Sequence, residues 1–143
     1  MRLWHYELLQ YLPKDMLVSQ WRECIAIKRQ WEKGTLKHRL VSYVKDYDGE
    51  IFINYCYAVI REMENRNIKY NYKYMIEIGQ FCQNKEKKIP DYIYYKEHNN
   101  RYLKQCYYNL QEKYDRGIIT QEEWEKVKSC PDLYNVDVYD GDF

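Results

Sequence analysis

Apolar positions recur along this chain at intervals of three and four, the period of helices, and no run alternates with the period of two that marks a half-buried strand. Leu17, Trp21, Cys24, Lys28 and Trp31 share one stripe, with Val18 and Ile25 beside it. That stripe predicts a long helix with Pro13 in its first turn, running to about residue 33, where Gly34 supplies a left-handed cap. A shorter helical piece is expected over 36–45, broken at Asp46-Tyr47-Asp48-Gly49. A second long helix follows from Glu50 to Asn65, with Ile51, Tyr55, Ala58, Val59 and Met63 facing inward. Residues 71–82 form a short helix, and 85–90 a loop closed by Pro90. The third long helix covers 97–116, with Leu103, Cys106, Tyr107, Leu110 and Tyr114 as its seam and Gly117 as its cap. Thr120-Gln121-Glu122-Glu123 reads as a capping box opening a last short helix to about Ser129. Ahead of all these lies an arm, residues 1–12, apolar through Leu3, Trp4, Leu8, Leu9 and Leu12. The expectation is an all-α fold: a compact single-domain bundle of about three long helices plus short ones, with an N-terminal arm. The domain spans 1–131, and 132–143 form a loose acidic tail.

Composition narrows the chemistry. The 143 residues include 18 tyrosines, four tryptophans and three phenylalanines, with few glycines and prolines, so the chain folds rather than staying disordered. Five cysteines without a close pair and three scattered histidines argue against a disulfide framework and against a metal site. No metal and no small-molecule cofactor is expected. Trp4, His5 and Glu7 interrupt any signal-like apolar run, and no stretch approaches a membrane span, so the expected location is the cytoplasm. Net charge is only +1, but its distribution is uneven. Residues 1–45 hold nine Lys/Arg against four Asp/Glu, whereas 105–143 hold four against nine. Such a chain can fold into a bipolar surface with one face offered to phosphates, or into an ordinary mixed surface with an acidic end.

The candidate chemistry lies in the first two dozen residues. Arg2 adjoins the amino terminus, and Arg22-Glu23 occur early in the first long helix. An α-amine titrates closer to neutrality than a lysine does, so more of it is free to act as a nucleophile at cellular pH. A carboxylate held against it makes an amine-plus-acid site suited to imine chemistry on a sugar. At about 100° per residue, Arg22 and Glu23 lie on two flanks of the helix surface opposite the apolar stripe. One can hold a phosphate while the other faces the amino terminus if the arm folds back across the helix. Taken as a bare dipeptide, the same pair reads as two exposed side chains.

The segment Arg2-Leu3, Leu8-Leu9, Leu12-Pro13, Leu17-Val18, Gln20-Trp21-Arg22-Glu23 resembles the opening of the pyrimidine-dimer DNA glycosylases. A looser likeness continues through Tyr43–Ile68, where a Lys-Asp-Tyr step precedes a long helix, so about half the chain is covered. The resemblance implies a small all-helical enzyme with two linked activities. It removes the 5′ base of an ultraviolet-induced pyrimidine dimer, then nicks the strand by β-elimination as an AP lyase. The α-amine, here that of Met1, would attack C1′ and form an imine, with Glu23 stabilising the cationic sugar and moving the proton that starts elimination. Arg2 and Arg22 would grip phosphates. A further family arginine falls at Ala26, so that contact is either absent or displaced to Lys28 or Arg29. The implied partner is double-stranded DNA carrying damaged or abasic sites, bound by a monomer.

Other side chains carry two readings each. His5 sits in the arm, where it can donate to a phosphate or pack as a hydrogen-bonded core histidine. Lys28, within the apolar stripe, is either a desolvated Schiff-base former or a lysine lying along a helix edge. His98-Asn99-Asn100-Arg101 can contact a DNA backbone or cap the helix that follows. The Tyr92–Tyr95 run and Tyr107-Tyr108 can stack on an extruded base or pack in the core. Three alternative functions stay open: a non-catalytic nucleic-acid-binding protein on the same scaffold, a glycosylase or AP lyase for another base lesion, and a helical interaction module whose aromatic faces bind another protein.

Overall fold

A computed structural model describes residues 1–85 and 94–136. It is all-α, with no strand among the described residues. Five α-helices follow in order: α1 (Lys14–Lys33), α2 (Gly49–Asn65), α3 (Tyr72–Cys82), α4 (Asn100–Asp115) and α5 (Gln121–Lys128). Short 3-10 helices cover Tyr6–Tyr11, Ser42–Asp46 and Pro131–Asn135. The three long helices expected from the sequence are α1, α2 and α4, at 20, 17 and 16 residues. Helices α1, α2 and α3 pack on one another, α5 packs on α4, and the turn at Tyr6–Tyr11 bridges α2 and α5.

The helix ends obey local chemistry. Gly34 closes α1 at φ 72°, with its N–H on the Trp31 carbonyl, and Gly117 adopts φ 75° after α4. Thr120 and Glu123 complete the capping box at the head of α5. Gly49 answers a different need. A Cβ there would stand 1.9 Å from the Cys82 carbonyl oxygen, so the start of α2 touches the end of α3 through a position only glycine can fill.

Three expectations change. Residues 36–45 do not form one helix: the His38 carbonyl receives both the Val41 and Ser42 N–H groups, a single turn that leads into the 3-10 helix. The physical reason is that Lys37, His38, Arg39 and Leu40 are all exposed, leaving Leu36, Val41 and Val44 without a continuous apolar stripe. Helix α4 begins at Asn100 rather than at 97: Asn99, within the segment expected to cap it, accepts the Tyr102 N–H on its side chain, and His98 packs inside. The packed chain also continues past 131, since Leu133 and Val136 are buried. The rest of the expected acidic tail (137–143), most of the expected 85–90 loop, and Tyr92 lie outside the described residues.

The described helices include none long and apolar enough to cross a membrane. All five cysteines are free and buried. Among the described residues no group of three His, Cys, Asp or Glu could hold a metal ion.

Candidate active site

The arm folds back across α1, and side chains hold most of the backbone polar groups of residues 2–4. The Arg2 N–H donates to Glu23 Oε2 at 3.3 Å. Gln20 Nε2 donates to the Arg2 carbonyl at 3.0 Å, and Gln20 Oε1 accepts the Trp4 N–H at 2.7 Å. The Tyr55 hydroxyl donates to the Trp4 carbonyl at 2.6 Å, while the Leu3 carbonyl accepts from the Tyr102 hydroxyl. Residues 2 and 4 therefore turn their polar groups toward α1 and α2, and residue 3 turns its carbonyl toward α4. This is the alternation of an extended chain, with side chains taking the place of neighbouring strands. Leu3 is fully buried and Trp4 nearly so, which anchors the arm through apolar contact as well.

Beside the arm lies a hollow of about 340 Å³ lined by Met1, Arg2, Trp4, Met16, Ser19, Gln20, Glu23, Asn109 and Lys113. Met16, Ser19, Gln20 and Glu23 follow the helical spacing that places them on one face of α1. The Met1 α-amine is three covalent bonds from the Arg2 nitrogen, so standard geometry keeps it within about 7 Å of the Glu23 carboxylate. Lys113 brings a second amine from α4. The Arg2 guanidinium lies over the Trp4 ring at 5.4 Å. Burial raises the Tyr102 phenol and the Cys106 thiol, and the nearby Arg2 charge opposes both shifts.

The residues singled out from sequence separate into groups. Met1, Arg2 and Glu23 meet at this hollow. Arg22 is exposed on the neighbouring flank of α1, as the helical wheel requires. Arg29 is exposed farther along α1, with its guanidinium 5.4 Å from the centre of the Tyr74 ring. Lys28 stands apart: it is buried, pairs with Glu32 at 3.1 Å, and lines a different hollow with Glu77 and Phe81. His5 is 3% exposed, and its Nδ1 accepts the Glu7 N–H as the cap of the first 3-10 helix. Burial lowers its pKa to about 4, so it is neutral near pH 7 and offers phosphate no cation. His98 is likewise lowered, to about 3, chiefly by burial and then by His5; it accepts the Tyr6 N–H and contacts the Tyr43 hydroxyl. Tyr107 is buried against Trp124, and Tyr94 stacks on Tyr6.

A family model described as pyrimidine dimer DNA glycosylase matches residues 1–77. The chain belongs to the pyrimidine dimer DNA glycosylase family. Comparison with curated proteins and with solved structures gave no match. The matched span holds the arm, α1 and α2, and with them Met1, Arg2, Gln20, Arg22 and Glu23; Asn109 and Lys113 come from beyond it.

Gln20, quoted above only as part of the N-terminal motif, Asn109 and Lys113 also line this hollow. The first had a signal. Gln20 falls between Leu17, Trp21 and Cys24 on the buried side of α1, and a polar side chain there must find partners. The other two reach the hollow from α4, more than eighty residues away in sequence, and local periodicity says nothing of them.

A second hollow of about 340 Å³ is lined by Tyr6, Glu7, Asn54, Tyr94, His98 and Asp132 among others. There Glu7 is raised to about 7, first by burial and then by Asp132. It contains neither the amino terminus nor Glu23.

Proposed function

We propose that this member of the pyrimidine dimer DNA glycosylase family excises the 5′ base of a pyrimidine dimer through its own amino terminus, and then acts as an AP lyase. One observation carries the reading: the Arg2 N–H is hydrogen-bonded to Glu23 Oε2, which ties the beginning of the chain to a carboxylate at the edge of a hollow.

The Met1 α-amine attacks C1′ of the damaged nucleotide, the glycosidic bond breaks, and the departing pyrimidine takes up a proton. Ring opening leaves a protonated imine between Met1 and the sugar. Glu23, beside the developing positive charge, stabilises it electrostatically and then assists removal of a C2′ proton. β-Elimination expels the 3′ phosphate, and water hydrolyses the imine to restore the amine. No redox partner is consumed. Arg2 and Lys113 supply positive charge at the hollow for flanking phosphates, and Arg22 and Arg29 supply it on the exposed side of α1.

The experiment is borohydride trapping on a duplex containing an abasic site, using protein whose terminus has been verified to begin at an unblocked Met1. A covalent protein–DNA adduct that disappears on amine acetylation or in Glu23→Gln is expected. Duplex binding without an adduct would favour a non-catalytic DNA-binding protein. Trapping on abasic DNA without action on ultraviolet-irradiated DNA would move the substrate to another lesion.

A further inference from the structure

Gln20 is 1% exposed, and its carboxamide is occupied at both ends. Oε1 accepts the Trp4 N–H at 2.7 Å and lies 3.0 Å from the Tyr55 hydroxyl. Nε2 donates to the Arg2 carbonyl at 3.0 Å and to Glu23 Oε2 at 3.3 Å. The orientation of the amide is forced, because an N–H can only donate and a carbonyl only accept. Gln20 thus brackets Leu3 by pairing with the two arm groups on one edge, as a neighbouring strand would, while its other N–H reaches the carboxylate. Simple space-filling would be met by leucine or methionine without burying a polar group.

We infer that Gln20 is a positioning residue that sets the separation between the Met1 α-amine and the Glu23 carboxylate; the inference rests on the amine reading above. Neutrality is part of the role. A carboxylate at position 20 would face the Arg2 carbonyl and the Glu23 carboxylate, which are both acceptors. An apolar side chain would release the Arg2 carbonyl and the Trp4 N–H together and leave Glu23 Oε2 with the Arg2 N–H alone. Tyr55 backs the arrangement from α2 by contacting both Gln20 Oε1 and the Trp4 carbonyl.

The test compares wild type with Gln20→Met, which keeps the length of the side chain, and Gln20→Glu, which keeps its shape and adds charge. Three quantities are read: hydrogen exchange of the Trp4 amide by NMR, affinity for an abasic duplex, and the single-turnover rate of imine trapping against pH. In Gln20→Met, Trp4 protection should fall and trapping should slow by about tenfold to a hundredfold, the scale of a small misplacement of reacting groups, with duplex affinity nearly unchanged. In Gln20→Glu the acid limb of the pH–rate profile should move up by about one unit or more, because neighbouring carboxyls resist ionising together. The other charged groups at this hollow are the Met1 amine and Arg2 from the arm and Lys113 from α4; all are common to the proteins compared. Wild-type trapping rate and Trp4 protection in Gln20→Met, or an unmoved acid limb in Gln20→Glu, would overturn the inference while leaving the amine reading intact. Absence of any trapped product with wild type would overturn the amine reading and the inference with it.

Discussion

Gln20 and Glu23, three residues apart on α1, meet through a 3.3 Å hydrogen bond whose accepting oxygen also receives the Arg2 N–H. One carboxylate oxygen therefore carries a link from the helix and a link from the chain's first peptide bond. Residues 1–5 of the arm gain a fixed path without a strand partner or a disulfide. The Met1 α-amine is held near a carboxylate as a consequence of that path.

Glu23→Gln removes negative charge while keeping an oxygen that can accept the Arg2 N–H. Strand nicking should be lost, and affinity for an abasic duplex should stay near that of wild type. Gel-shift titration beside a nicking assay checks this. Nicking at the wild-type rate would remove Glu23 from the mechanism.

Arg22 is exposed and has no catalytic geometry of its own, so its replacement should act on binding alone. In Arg22→Ala the slope of log K against log salt should shrink in magnitude by about 0.9 for the lost phosphate contact. Fluorescence anisotropy over a salt series measures it. An unchanged slope would take Arg22 off the DNA backbone.

The buried histidines predict the acid side of the stability curve. His5 and His98 have folded pKa values of about 4 and about 3 against an ordinary 6.5. Between those values the unfolded chain binds more protons than the folded one, so their contribution is fully present above pH 6.5 and lost as pH falls. His5 alone corresponds to about 3 kcal/mol over that window. Glu7 has the opposite sign: its raised pKa makes the folded state less stable as pH rises from 4.5 toward about 7. Urea midpoints against pH should fall less steeply on the acid side in His98→Gln. In Glu7→Gln they should rise relative to wild type above neutrality and match it near pH 4. Parallel curves for either variant would contradict the assignment.

Gly34 and Gly49 should differ in cost. Gly34→Ala places a side chain at φ 72° with open space around it, for a loss of about 1 kcal/mol. Gly49→Ala drives a Cβ into the Cys82 carbonyl and should cost more, about 2 kcal/mol or above. Thermal melting of the pair ranks them. Equal losses would mean that the α2–α3 junction shifts freely.

Much of this molecule could be read from its order of residues. The stripe on α1, the glycine after it and the Thr120–Glu123 box each act within one or two helical turns, where sequence spacing and spatial neighbourhood coincide. The approach of the amino terminus to Glu23 was legible only on the condition that the arm fold back across the helix, and the burial of Leu3 and Trp4 meets that condition. What stayed hidden depends on contacts between distant segments. Lys113 and Asn109 reach the hollow from α4, and Lys28 is drawn toward Phe81 on α3. His5 and His98 owe their neutrality first to burial, among each other's rings and the tyrosines around them, which no local pattern encodes.

The central claim is that the chain's own α-amine forms the imine, and mapping the borohydride-reduced adduct by mass spectrometry tests it most directly. Digestion of the trapped complex should yield the deoxyribose remnant on the peptide beginning at Met1, attached to the α-nitrogen. A remnant on the ε-amine of Lys113 or Lys28, with Met1 unmodified, would contradict the account.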